Sequence, residues 1–556
     1  MKIGLLSNRV DQWRIVVASL VLFAPFLGGV HLFDWDEINF AELAREMLVS
    51  GSYLSPQLDF EAFTEKPPLF MWIQALSMNL FGVNEFASRF PNVLAAIASL
   101  LLIYDIGFRL HGQRLARWWV LAYVGSTLPH FYFKSGLIDP WFNFFIFACL
   151  WFIIKFIWKS NKILGVHLQH SRVLYLLLAA LFTGLAILTK GPAAFLITSL
   201  VFGVYWISVR FRWFIKPIDF ILYTFLALLV TGIWYGLETL VNGPSFIIEF
   251  TIRQWALLST PDAGHGGFVG YHFVVLFLGC FPASVFAIQA MLRKNDGTLD
   301  AQRDMKKWML YLLWVVLILF SLVKSKIIHY SSLAYFPLTY LAALSLVGIV
   351  EGRWKLKPWM SVLLSIQTLI YALVSFGLIW LGRNPHLLKE LAKNDPFAQA
   401  NFEAEVHWPL YLFSIVGLSI FSLILFFYQK DKQRSRAFNV LFISHALWVQ
   451  LALVFFIGRI ERITQGANIE FFESIKNEKA YLGTYNYRSY VPFFYGEVEP
   501  LNKGVNIRWK SPETLDRNAY VSVREGSQLK FEQEYPAALH LYSKNGFHFY
   551  KFEPAH

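Results

Sequence analysis

Charge is scarce in this chain. Lys, Arg, Asp and Glu make up 15% of 556 residues, whereas soluble domains carry roughly a quarter, so a water-soluble globule is excluded. Cysteine is scarcer still: Cys149 and Cys280 are the only two, both inside apolar stretches. Two such thiols can build neither a disulfide framework nor a cysteine metal cluster, and they are expected to pack as small hydrophobes. There is no Walker glycine loop and no dinucleotide fingerprint, so no nucleotide or flavin is expected. No small-residue cleavage site follows the first apolar stretch near Trp13, which therefore reads as a retained span. Internal repeats and low-complexity tracts are also missing.

What fills the chain is apolar: 56% hydrophobic and 18% aromatic residues. Stretches long enough to cross a bilayer lie near 13–30, 91–108, 118–133, 141–158, 173–189, 192–209, 218–238, 271–291, 308–323, 332–350, 359–381, 408–428 and 438–459, thirteen in all. The net charge of +12 could suggest nucleic acid, but the basic residues sit in every second loop. Arg109, Arg114 and Arg117 are followed by Lys155, Lys159, Lys162 and Arg172, and the alternation persists to Lys430, Lys432, Arg434 and Arg436. By the positive-inside rule these loops and the N-terminus face the cytoplasm, and an odd span count puts the C-terminus outside. The fold class expected is an α-helical polytopic membrane protein with about thirteen transmembrane helices and a small extracytoplasmic C-terminal α/β domain. Residues 1–465 would form the membrane domain and 466–556 the soluble one.

Two external loops are long, 31–90 and 239–270. The first carries an amphipathic stretch from Glu37 to Leu48, with Ile38, Ala41, Leu43 and Leu48 set among Glu42, Arg45 and Glu46, as in a helix lying in the membrane interface. The second ends in the Gly-rich run Ala263 to Gly270, read as a connector. In the C-terminal segment, Ala519 to Val523 and Phe547 to Phe552 read as strands, with a turn at Lys544, Asn545 and Gly546.

The external loops hold the residues with chemistry. Asp34, Trp35, Asp36 and Glu37 follow the first span; such acids can bind a cation or deprotonate a sugar hydroxyl, and equally can cap the next helix. Glu65 and Lys66 are followed by Pro67 and Pro68, a rigid place to hold a phosphate or a metal, or else a surface pair of little consequence. Lys134 and Asp139 bracket a short loop, Lys190 ends a span, and Lys324, Lys326, His329 and Tyr330 precede another. Each lysine alone could snorkel to the interface; together, on the side poor in positive charge, they suggest anion binding. Arg253 and His265 add a guanidinium and a candidate metal ligand. ATP and nucleotide sugars are cytoplasmic, so an external site needs a donor delivered through the membrane. A polyprenyl-phosphate sugar fits, with cationic side chains stabilising the departing phosphate.

The succession Asp36-Glu37, Ala41-Glu42, Arg45-Glu46-Met47, Glu65-Lys66-Pro67, Ile138-Asp139-Pro140 and Leu188-Thr189-Lys190-Gly191 resembles the GT-C glycosyltransferases, above all the ArnT aminoarabinose transferases and the protein O-mannosyltransferases. The likeness runs from about residue 30 to residue 345, and Tyr481 to Tyr495 looks like part of the external domain of bacterial members. The resemblance implies an inverting transfer from a polyprenyl-phosphate sugar to an extracytoplasmic acceptor: a lipid A-like glycolipid, a polysaccharide or a protein. It places Asp36 and Asp139 as catalytic acids, Lys66, Arg253, Lys326 and Tyr330 around the donor phosphate, and Glu65 with His265 as ligands of a divalent cation (Zn, Mg or Mn). Glu37 and Lys190 accompany them. The flanks of His265 and the segment Lys324 to Tyr330 depart from the ArnT pattern, which leaves the acceptor open: an anionic phosphate acceptor needs Asp36 only to hold charge, a hydroxyl needs it as base. The partners implied are the lipid donor, the acceptor and membrane lipids, without nucleic acid, and the location is the inner (plasma) membrane. The competing reading is a transporter or flippase of lipid-linked substrates. Transporters gather ionisable residues at mid-membrane, whereas here His445 is the clearest such case.

Overall fold

The computed structural model describes residues 2–163, 168–259, 266–293, 299–500 and 515–554. Each of the thirteen apolar stretches falls largely on helix, but the bundle is less regular than thirteen plain crossings. Among the described residues nine helices are long and apolar enough to span a membrane, or ten when one bent pair is counted. The exceptions have physical causes. Helix α1 (Lys2–Phe23) carries Arg9, Asp11 and Arg14. The stretch at 118–133 is split into Gln113–Val124 and Thr127–Tyr132 beside Gly125, where a Cβ would lie 2.8 Å from Leu121 O. Ala193–Ser208 is 16 residues long, and Tyr271–Gly279 meets Ala283–Leu292 at 116°.

The first external loop is itself folded. It holds α2 (Asp36–Ser50), the two-residue strands β1 (Gln57–Leu58) and β2 (Glu61–Ala62), α3 (Leu69–Phe81) and the start of α4 (Glu85–His111). Asn84 caps α4 through its side chain, which accepts from the Ala87 amide at 2.8 Å, so α4 begins before Pro91 and carries that proline inside it. The expectation for α2 is corrected. It does not lie in the interface with a polar face outward, because every residue from Glu37 to Met47 is buried. Ile38, Ala41 and Ala44 share one apolar core with Phe471, Tyr490, Val491 and Phe494 of the C-terminal region. Its charges are satisfied internally: Arg45 donates to both Glu42 oxygens at 2.7 and 2.6 Å and to Val498 O at 2.8 Å, while Glu46 accepts the amides of Asp59 and Phe60 at 2.6 and 2.8 Å.

The second external loop is largely helix, Ser245–Ser259, and of its Gly-rich run residues 263–265 lie outside the described residues. The last helical stretch runs from Arg434 through Gly466 to Ser474, with π-helical turns at Leu453–Ile457 and Arg462–Gly466. Beyond it a four-stranded sheet has the order β3-β4-β6-β5, with β3 (Tyr481–Tyr485) parallel to β4 (Ala519–Arg524) and β6 (Phe547–Phe552) antiparallel to both β4 and β5 (Leu539–Lys544). Asn545 and Gly546, at φ 50° and 82°, close the β5–β6 hairpin, the left-handed geometry that Asn-Gly accommodates.

Candidate active site

Five segment ends converge at one end of the helix bundle. Asp36 opens α2, Glu65 and Lys66 precede α3, Asp139 opens the helix Asp139–Ser160, Lys190 closes Arg172–Lys190, and His329 lies in the 3-10 turn Ile328–Ala334. A carboxylate at a helix N-terminus and an ammonium at a C-terminus each suit the local dipole. Gly191 ends the lysine's helix at φ 100°, with the Phe250 ring 2.6 Å from where a Cβ would stand; only glycine permits that approach, and it pins Lys190 in place.

Asp139 is the hub of the buried half. Its Oδ1 accepts from Lys190 Nζ at 2.7 Å, and its Oδ2 lies 3.9 Å from His329 Nε2. The same nitrogen is 3.8 Å from Asp36 Oδ2. Exposure separates the two acids: the Asp36 side chain is 50% exposed, against 4% for Asp139 and 13% for His329. Asp36 is therefore open to a substrate, whereas Asp139 is the buried partner of Lys190. Lys190 Nζ also stands 5.5 Å from the centre of the Tyr330 ring, so Tyr330 backs the ammonium as a cation–π partner.

Glu65 and Arg253 pair loosely, Oε1 to Nε 3.8 Å, both about one third exposed. Lys66 donates to Glu65 O at 3.3 Å and, among the described residues, has no ion-pair partner. Its ammonium is pulled below the ordinary lysine range, first by burial and then by Lys190 and Arg253, with Glu65 and Asp36 opposing. Asp36, Glu65, Lys66, Lys190 and Arg253 thus lie close enough to feel one another, and among the described residues Lys66 has no carboxylate in ion-pair contact.

Two expected members are committed elsewhere. Lys326 donates to the carbonyls of Phe320, Ser321 and Val323 at 3.1, 2.7 and 2.5 Å, closing the C-terminus of the helix Asp300–Leu322 as a helix cap. Glu37 is clamped by Arg89, at 3.1 and 2.9 Å, and by the amides of Phe33 and Gly136. Arg89 in turn holds the carbonyls of Leu27, Val30 and His31, so this pair shapes the loop. His265 lies outside the described residues. Among the described residues no group of three His, Cys, Asp or Glu side chains is placed to hold a metal, and Glu65 already faces a guanidinium, so the residues in view do not by themselves make a cation site.

His329 is the participant to which sequence reasoning assigned no role. Beside Asp36 opens a cavity of about 340 Å³ whose walls include Phe26, Leu27, Phe131, Leu453 and Ile457, with Lys134 at its polar end. Lys134 Nζ donates to Pro25 O at 2.7 Å, and burial lowers it to about 8.

Comparison with known proteins finds relatives of the chain and of its fold. Residues 65–235 match the family model described as dolichyl-phosphate-mannose-protein mannosyltransferase. The chain is 25% identical over 376 residues to the undecaprenyl phosphate-α-4-amino-4-deoxy-L-arabinose arabinosyl transferase of Pectobacterium atrosepticum, covering 66% of this chain and 65% of that one. It is 28% identical over 377 residues to the protein of the same name from Edwardsiella ictaluri, covering 66% and 64%. These matches thus span slightly under two thirds of the relatives' length. In three dimensions it superposes on the crystal structure of ArnT from Cupriavidus metallidurans bound to undecaprenyl phosphate, with a TM-score of 0.76, 18% identity and 97% of each chain covered. The chain therefore resembles the ArnT and protein O-mannosyltransferase branches of the GT-C glycosyltransferases, and its fold is that of ArnT.

Proposed function

We propose that this protein is a membrane glycosyltransferase that moves a sugar from a polyprenyl-phosphate carrier to an acceptor on the extracytoplasmic side. The observation that carries the reading is the half-exposed Asp36 carboxylate, set beside an apolar cavity, 3.8 Å from His329 and close to Lys66, which Lys190 and Arg253 also approach. The names of the relatives, and the undecaprenyl phosphate bound to ArnT from Cupriavidus metallidurans, support a lipid-phosphate donor.

In this mechanism the bond between the sugar's anomeric carbon and the carrier phosphate breaks, and the acceptor oxygen bonds to that carbon from the opposite face, inverting it. Lys66 meets the phosphate and stabilises the charge that develops as it leaves, with Arg253 and the Asp139-held Lys190 beside it. A hydroxyl acceptor gives its proton to Asp36; a phosphate acceptor needs none removed, and Asp36 then orients it. The apolar cavity takes part of the prenyl tail. The acceptor is a lipid A-like glycolipid, a polysaccharide or a protein. The membrane is the inner (plasma) membrane, with basic loops in the cytoplasm and the C-terminal domain in the periplasm.

Purified protein in liposomes, supplied with a polyprenyl-phosphate sugar, tests this. Asp36→Asn and Lys66→Ala are expected to abolish transfer while the protein remains folded, and normal turnover in both would overturn the assignment. Mass spectrometry of surface glycolipids and glycoproteins, with and without the gene, identifies sugar and acceptor. A divalent cation at Glu65 would have to displace Arg253; loss of transfer in EDTA and recovery with Zn, Mg or Mn would establish one, and full activity in EDTA would leave the guanidinium as that acid's partner.

A further inference from the structure

The residue before Asp36 adopts a conformation that L-amino acids avoid. Trp35 has φ 75° and ψ −113°, outside the basins open to a side chain with a Cβ. Such backbone persists only where its surroundings over-determine it, and here the determining group is the carboxylate of Asp34. Its Oδ1 accepts the Trp35 amide at 2.8 Å and the Tyr490 amide at 2.9 Å, and the Ser489 hydroxyl also bonds to it. Asp34's own amide donates to Gln465 Oε1 at 3.0 Å, while Gln465 Nε2 donates to Leu32 O at 2.8 Å. On the far side the Asn39 amide holds Trp35 O at 2.8 Å. Segment 32–39 is thus fixed by side chains and amides that come from more than 420 residues further along the chain. The Trp35 ring meets the Tyr490 ring edge-on, centroids 6.1 Å apart.

We infer that Asp34 is a positioning residue through which the Ser489–Tyr490 segment of the soluble domain sets the aim of Asp36. The inference rests on the catalytic reading of Asp36 above. Asp34 acts through the backbone: the two amides it accepts hold the strained turn from which Asp36 projects. The soluble domain is then a working part of the reaction centre and not a separate appendage, because releasing its grip lets Trp35 relax and carries the carboxylate of the next residue away from the anomeric carbon.

The test uses full-length protein in nanodiscs with a titrated polyprenyl-phosphate sugar donor. Asp34→Ala removes the single oxygen that accepts both amides, whereas Asp34→Asn keeps that oxygen. A displacement of the base by about 1 Å costs on the order of 100-fold, so Asp34→Ala is expected to lower kcat by about that factor with the donor KM within about twofold, and Asp34→Asn to recover to within about fivefold of wild type. If Asp34→Ala does not fold, Gln465→Ala takes its place, with an expected fall in kcat of about tenfold, from looser support of the same turn, at unchanged KM. Wild-type kcat in the alanine variant, a loss carried by KM, or Asn no better than Ala each overturns the positioning role. Wild-type protein that transfers no sugar overturns the functional reading and this role with it; a wild type that works and an Asp34→Ala that equals it overturns this role alone.

Discussion

The contact between Asp139 and Lys190 offers the sharpest test of how the site works. The two groups are 2.7 Å apart, with 4% and 15% of their side chains exposed, so solvent screens them little. Removing one partner of such a pair costs about 3–5 kcal/mol. If about 3 kcal/mol of that appears in the transition state, Asp139→Asn and Lys190→Gln each lower kcat/KM by about 10²-fold. Two residues acting separately would give about 10⁴-fold in the double variant. If Asp139 works by aiming Lys190, the double variant loses no more than Lys190→Gln alone, because an unaimed ammonium and an absent one serve the phosphate equally badly. The coupling energy read from the cycle should then be about 2–3 kcal/mol. Initial rates of transfer from a polyprenyl-phosphate sugar, for wild type, both singles and the double, supply all four corners. Additivity within about 0.5 kcal/mol would refute the aiming role and give Asp139 a role of its own.

Because burial lowers Lys134 to about 8, its ammonium is present below that pH and lost above it. The donor KM is therefore expected to rise as pH passes through about 8, and Lys134→Arg, whose charge persists, to remove the rise; a KM flat from pH 6 to 9 in wild type would show that the anion does not feel this charge. Glu46 is pushed up by burial and by the neighbouring Glu42 carboxylate, which favours its neutral form. Glu46→Gln should change thermal stability little, whereas Glu46→Ala, which strands the amides of Asp59 and Phe60, should cost about 1–3 kcal/mol. Lys326→Met should lower the melting temperature, since the Phe320, Ser321 and Val323 carbonyls lose their donor, yet leave donor KM unchanged; a raised KM would return Lys326 to the phosphate.

Apolar stretches of about twenty residues, together with basic loops, are local signals, and they suffice to reveal a helical bundle. Asp36, Glu65, Lys66, Asp139 and Lys190 were legible for a related reason: ionisable residues at span ends are costly and so stand out. Partnership was not legible. His329 joins Asp36 and Asp139 only because segments 190 and more residues apart fold together, and a lone histidine at the start of a span carries no mark of that. Lys326 looks in sequence like any cation at the outer rim; its role depends on the helix ending four residues earlier, with carbonyls to satisfy. Breaks in the spans were hidden too, since Gly125 is one glycine among 34 and only the close Leu121 and Phe442 contacts explain it. The amphipathic pattern of α2 misled for a physical reason: a helix covered by another domain and a helix floating in the interface show the same alternation.

Cover by the soluble domain decides how the charges of the first external loop divide. Glu37 bonds Arg89 of α4, and Glu42 pairs with Arg45, which also reaches Val498 O of the C-terminal region. Burying a charge without such partners would cost several kcal/mol, so the loop can fold only when both the cover and the partners are present. Asp36, Glu65 and Lys66 are less covered and more loosely paired than these. Since α2 shares its apolar core with Phe471, Tyr490 and Phe494, the floor of the site and the soluble domain are one packed unit. Loosening the domain should therefore reach Asp36 before it reaches the membrane helices.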